Sequence, residues 1–94
     1  MHATVRSYAS DGGLVDALVV KKDEVRDLLT GIAGFRAYYI LRTADGGAVS
    51  ISVYDDAAGT EASNAAAAGW VRDNLPGLAA APPETTAGEV AVSF

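Results

Sequence analysis

Residues 35–54 read FRAYYILRTADGGAVSISVY, and this stretch decides the fold. Side chains alternate in character on both sides of a central ADGG segment, which has the composition of a tight turn. The stretch therefore predicts a β-hairpin with strands over residues 35–43 and 48–54.

Two more alternating segments lie near the ends of the chain. Residues 2–8 alternate with period two, which predicts a first strand, and the glycines after Ser10 end it. Residues 89–94 follow a Pro-Pro pair and alternate again, which predicts a last strand over Glu89 to Phe94.

Helical patterns fill the two gaps between these strands. Apolar residues from Leu14 to Ile32 follow three-and-four spacing, which predicts an amphipathic helix. The β-branched pair before Lys21 is a weak point where this helix could kink, or restart with Asp23 as its cap. A second helix should begin near Ala57, capped by Asp55 or Asp56, and should end near Asn74 because Pro76 follows.

The order βαββαβ predicts an α+β protein of ferredoxin-like topology, with a four-stranded antiparallel sheet and both helices on one face. Its length of 94 residues suits a single domain over residues 1–94. A chain this short buries a thin core, so a second subunit would help to stabilise it.

Alternation divides the sheet into two faces. We expect the more apolar face to lie under the helices; it carries Ala3, Val5, Phe35, Ala37, Tyr39, Leu41, Val49, Ile51, Val53, Val90, Val92 and Phe94. The other face is richer in hydroxyls and charge, and includes Arg6. Its residues Tyr38, Tyr54, Ser50 and Ser52 are candidates for a homodimer interface between two sheets, with solvent exposure as the alternative.

Composition excludes several classes of function. Seven basic and twelve acidic residues give a net charge of −5, and no basic stripe is present, so nucleic acid is not an expected partner. The sequence has no cysteine and one histidine, which predicts no metal site. No run approaches the roughly 20 apolar residues of a membrane span, so a cytoplasmic protein is the default expectation.

Several segments carry a family resemblance: Ile32-Ala33-Gly34-Phe35, Tyr38-Tyr39, residues 50–56, Ser63-Asn64 and Trp70-Val71. Together they make the chain similar to the antibiotic biosynthesis monooxygenase-like proteins. The resemblance implies a dimeric α/β barrel, a pocket between helices and sheet, and oxygenation of aromatic or polyketide-like molecules without a cofactor. The haem-degrading branch is not matched, because the histidine, tryptophan and asparagine of that branch do not align here.

Six residues are candidates for lining such a pocket: Trp70, Tyr39, Asn64, Asn74, Lys21 and Arg36. Trp70 could be one wall of a cavity for a flat ligand, or could simply fill the core. Lys21 falls in the apolar stripe of the first helix, where it could act as a base or hold an anion, or could reach solvent.

No catalytic residue is identified, so two functions stay open. One is a cofactor-independent monooxygenase, and the other is a non-catalytic dimeric module that binds a small ligand or a protein.

Overall fold

A computed structural model describes residues 1–79 and 81–94. The strands are β1 (His2–Tyr8), β2 (Phe35–Arg42), β3 (Ala48–Tyr54) and β4 (Glu84–Glu89), and the helices are α1 (Leu14–Val20), α2 (Lys22–Thr30), α3 (Ala57–Asn74) and α4 (Pro76–Ala79). The sheet order is β2-β3-β1-β4, and every neighbouring pair is antiparallel. This is the ferredoxin-like arrangement that the sequence predicts.

The first helical region breaks where the β-branched pair meets Lys21. Lys21 has φ −103° and ψ 27°, outside the helical range, and α2 begins at the next residue. The predicted long helix is therefore two short ones, and Lys21 rather than Asp23 stands at the restart.

α3 follows its predicted limits. The side chain of Asp56 accepts a hydrogen bond from the Gly59 amide at 3.0 Å, which satisfies one free donor of the first turn. The helix ends at Asn74, and Leu75 before Pro76 leaves the α region with ψ 65°.

The last strand lies earlier than predicted. β4 pairs with β1 from Ser7↔Glu84 to His2↔Glu89, and the Val90 amide then donates to the Met1 carbonyl. Because β1 begins at His2, no strand among the described residues lies beside residues 91–94. Residues 90–94 alternate in apolar character, but Phe94 is fully exposed. The alternation therefore did not mark the limits of the last strand.

The two faces of the sheet are the reverse of the prediction. The helices cover the polar face, where Thr4, Arg6, Ser50, Ser52 and Tyr54 are all at most 3% exposed. The apolar face is open, with Tyr39 59% and Leu41 47% exposed. The dimer-face candidates Tyr38, Tyr54, Ser50 and Ser52 therefore lie inside the subunit and form no open surface.

A close approach of α3 explains why this face is inward. The buried side of α3 is mostly small, and includes Gly59, Thr60 and Ser63. A Cβ added at Gly59 would lie 2.7 Å from the Cβ of Tyr54, so the helix rests directly on the strand. The Tyr54 hydroxyl donates a hydrogen bond to the Leu29 carbonyl of α2 at 2.8 Å.

A β-bulge displaces the start of β2. Phe35 pairs with Tyr54, but Ala37 pairs with Val53, so Arg36 is the extra residue. Phe35 consequently shares the inner face with Tyr38 instead of the face of Ala37 and Tyr39.

Across the part of the chain that the structure describes, no helix combines the length and apolar character needed to cross a bilayer.

We expect Gly59→Ala to lower the free energy of unfolding by about 1–2 kcal/mol, because steric overlap with Tyr54 outweighs the gain in helix propensity. Gly69→Ala in the same helix is the matched control: its Cβ would meet only the Arg72 guanidinium at 3.4 Å, so it should stabilise by up to about 1 kcal/mol. Urea unfolding measures both. Equal effects of the two substitutions would contradict the close approach.

Candidate functional site

A buried arginine is the centre of the interior polar cluster. Arg6 on β1 is 3% exposed. Its Nε donates to Ser50 Oγ at 2.9 Å, one terminal nitrogen donates to Ser52 Oγ at 2.9 Å, and the other donates to Asn64 Oδ1 at 2.5 Å. These acceptors are neutral, and no Asp or Glu among residues 1–79 and 81–94 forms an ion pair with it.

Asn64 joins the cluster from α3. Its Oδ1 accepts from Arg6 and also from the Thr4 hydroxyl at 3.1 Å. Two donors on one oxygen fix the orientation of the amide, because the amide nitrogen could accept from neither. The Asn64 NH₂ group is therefore directed away from Arg6 and adds donors to this region.

Two tyrosines stand beside the guanidinium. Burial raises the pKa of Tyr38, and the nearby charge of Arg6 opposes part of that rise. The pKa of Tyr8 is raised by the same cause with the same opposition. Both rings are therefore neutral at neutral pH and supply no counter-charge.

Two cavities meet at Arg6, Tyr8 and Val71. The inner one has a volume of about 30 Å³ and lies beside Trp70. The outer one has a volume of about 270 Å³. Its lining is Arg6, Tyr8, Asn64, Ala68, Val71, Leu78, Ala79, Pro82, Pro83 and Thr85. The larger space thus lies between β1, α3 and the segment that leads into β4.

Trp70 mainly fills the core. It is 8% exposed, and the 30 Å³ beside it holds about one or two waters but no aromatic ring. Its indole N–H has no hydrogen-bond partner among the described residues. The enclosed space between Trp70 and the sheet is therefore too small for the predicted ligand, and a larger space, of about 270 Å³, lies on the Asn64 side of the cluster.

Four other pocket candidates do not join the Arg6 cluster. Tyr39 is exposed on the open sheet face, opposite the cavities. Arg36 is the bulge residue and pairs with Asp55 at the surface. Lys21 is exposed and donates to Asn74 Oδ1 at 2.6 Å, while the Asn74 amide donates to the Trp70 carbonyl. This pair bridges the helix break to the end of α3 and is a structural contact.

The residues predicted for a dimer face contribute to the site instead. Ser50 and Ser52 are acceptors for Arg6, and Tyr38 lines the inner cavity. Tyr54 packs edge-on against Phe35, with ring centroids 5.7 Å apart.

The sequence analysis grouped Arg6 with the correct face but expected that face to point away from the helices, and so missed its role. One signal could have found it. On β1 and β3, Arg6 lies opposite Ser50 and Thr4 opposite Ser52, so within these two central strands the face holds one arginine among hydroxyls and no acid. A solvated face usually mixes both signs of charge, whereas an arginine among hydroxyls suits an internal network.

The described residues contain no group of three or more His, Cys, Asp or Glu side chains that could hold a metal ion.

Comparison with known proteins gives a fold. No protein-family model and no curated protein matches the sequence. Solved structures do match, and several carry the name antibiotic biosynthesis monooxygenase. The chain has the fold of these proteins.

Three of the similar solved structures show which kinds of protein share this fold. A monooxygenase from the gene ActVA-Orf6 of Streptomyces coelicolor, in complex with nanaomycin D, has TM-score 0.65 and 14% identity, with 99% of this chain and 89% of that chain covered. SnoaB, a cofactor-independent oxygenase from Streptomyces nogalater, has TM-score 0.60 and 16% identity, with coverage of 99% and 95%. A dimeric ferredoxin-like protein from an uncultured marine organism has TM-score 0.66 and 17% identity, with coverage of 99% and 95%. At these identities the similarity establishes the fold and not the reaction.

Buried tyrosines make stability fall at high pH. A raised pKa in the folded state means that folding favours the protonated phenol. The stabilisation is complete below the unfolded pKa of about 10 and is lost as the pH rises through the folded value. We therefore expect the free energy of unfolding to decline from about pH 10 upward, and Tyr38→Phe to make that decline shallower. Urea unfolding from pH 8 to 11 measures it; identical slopes for both proteins would contradict the burial of an ionisable phenol at this position.

Proposed function

We propose that this chain is a cofactor-independent monooxygenase for small electron-rich phenols. The observation that carries the proposal is the Arg6–Asn64 cluster, a buried guanidinium and a half-buried amide in the wall of a 270 Å³ cavity. Support also comes from the fold, which is shared with proteins named as monooxygenases.

The cavity suits an aromatic molecule in size and lining. An apolar cavity of about 150 Å³ accommodates benzene, so 270 Å³ suits a two-ring scaffold. Val71, Leu78 and the Pro82-Pro83 pair offer apolar contact, while Arg6 and Asn64 offer donors at one end. A flat molecule with one oxygen directed at those donors fits this division.

The chemistry can be supplied by the substrate. A phenol with an open ring position reacts with one O₂ to give a quinone and one water, so one oxygen atom enters the new carbonyl and the other leaves as water. All four electrons come from the substrate. The chain's part is to bind the phenolic oxygen, orient the ring and exclude bulk water.

Oxygen uptake tests the proposal. With naphthols and dihydroxynaphthalenes as substrates, we expect the protein to accelerate uptake with one O₂ consumed per quinone formed and no hydrogen peroxide released. An oxygen electrode and product chromatography measure these quantities.

Matched variants on α3 localise the activity. Asn64→Ala should reduce kcat/KM by about 10-fold or more, because it removes the acceptor that orients the Arg6 guanidinium as well as an NH₂ donor in the cavity wall. Glu61→Gln, exposed on the same helix, should leave the rate unchanged. Activity that survives Asn64→Ala, or that matches the background rate without protein, would reject this site.

One observation favours a second function, a non-catalytic module that binds the same class of ligand. The described lining of the 270 Å³ cavity contains no carboxylate and no imidazole, and burial raises the pKa of Tyr8, so at neutral pH almost none of its phenolate is available as a base. Ligand binding without oxygen uptake would select this alternative.

We also propose that two copies associate through the open sheet face. That face is apolar at its centre, where Ile51 pairs with Val5 on one side and Tyr39 on the other. An exposed apolar sheet face of this extent is typical of an interface. A dimeric structure of similar fold supports the association.

Ile51→Glu tests this interface. A carboxylate at the centre of two packed sheets would be buried without a partner, so we expect a monomer, or weakening of the dimer by at least about 100-fold. Ala65→Lys, exposed on α3, is the control and should stay dimeric. Sedimentation velocity measures the mass. A wild-type protein that is still monomeric at about 100 μM, a concentration at which even weakly associating subunits pair, would overturn the proposal.

A further inference from the structure

We propose that the 270 Å³ cavity binds its aromatic ligand as an oxyanion, with the negative oxygen on the Arg6 guanidinium. This inference deepens the proposed function, because it concerns the same cavity and specifies the ionisation state of the ligand. Binding of an oxyanion does not require oxygenation and can occur in a protein that never consumes oxygen.

Arg6 has no counter-charge among the described residues. Arg6 is 3% exposed, and none of the four ion pairs among the described residues includes it. A buried charge held only by neutral dipoles is costly, and an anion close to it relieves that cost. The exposed arginines pair with carboxylates, as Arg36 does with Asp55 and Arg42 does with Asp16, whereas the buried one does not.

Hydrogen-bond donors are in excess around Arg6. A guanidinium has five N–H groups, of which three donate to Ser50, Ser52 and Asn64; the Tyr38 hydroxyl is close enough to accept a fourth, which leaves at least one N–H without a protein acceptor among the described residues. Because both bonds to Asn64 use its oxygen, its NH₂ group is a further donor at the cavity wall. A site rich in donors selects a ligand atom that only accepts, as a phenolate or carboxylate oxygen does.

Among the described residues, no group near Arg6 is an anion. Its titratable neighbours are Tyr8 on β1, Tyr38 on β2 and Tyr54 on β3, and burial raises the pKa of all three, which keeps them protonated at neutral pH. α3 contributes Asn64 and β4 contributes Thr85, neither of which ionises. With no anion supplied by the described residues, a counter-charge for Arg6 can enter through the cavity.

A coloured phenol measures the ionisation of the bound ligand directly. The probe is 4-nitrophenol, whose anion absorbs at longer wavelength than its neutral form, titrated from pH 5 to 9 with wild-type protein under nitrogen. We expect the pKa of the bound probe to fall by about one to two units, which corresponds to about 10- to 100-fold tighter binding of the anion than of the neutral phenol. The neutral analogue 4-nitroanisole should fail to displace the probe, whereas 4-nitrobenzoate should displace it if any aromatic oxyanion suffices.

Two substitutions assign the effect to the guanidinium. Arg6→Gln should abolish the pKa shift of the probe, and Arg6→Lys, which keeps the charge, should retain part of it. The wild-type titration does not depend on how well either variant folds, so it tests the inference by itself.

Absence of binding by 4-nitrophenolate at millimolar concentration, an unshifted probe pKa, or equal binding of 4-nitroanisole would overturn the inference. A shifted probe pKa in a protein that never consumes oxygen would support the oxyanion site and reject the oxygenase.

Discussion

Burial of one guanidinium constrains most of this structure. Arg6 needs several acceptors inside the subunit, and β3 and α3 supply them as Ser50, Ser52 and Asn64. Because these partners occupy the inner face of the sheet, its larger aliphatic side chains fall on the outer face. A polar inner face and an apolar outer face of the sheet are thus two results of a single requirement, and both the proposed ligand site and the proposed association of subunits depend on it.

Local signals in the sequence were sufficient for the order of elements. The ADGG turn, the Asp56 cap and the break at Lys21 act over a few residues, and each stands where it was predicted, apart from the residue at which α2 restarts. β4 was placed too late, since its residues Glu84–Glu89 are polar and exposed and take their strand conformation from pairing with β1. That pairing is a long-range contact, which alternation along the chain does not report.

The orientation of the sheet could not be read from hydrophobicity. The usual rule places the apolar face under the helices, and here the rule fails because the helix above the sheet is itself small and polar on its buried side. Asn64 was identified as a pocket residue from the sequence, but Arg6, its partner, was not. Recognising the pair requires the register between β1, β3 and α3, and three separate segments must be positioned before the hydrogen bonds are visible.

The contact between Gly59 and Tyr54 has a consequence for how the cavity could change during evolution. α3 forms the roof above the sheet, and the absence of side chain at Gly59 sets the height of that roof at one end. A larger residue there, or at Ser63 one turn later, would lift the helix and deepen the space above Arg6 without altering any residue that lines the cavity. The size of the cavity can therefore be tuned from outside its own lining, while Arg6 stays in place.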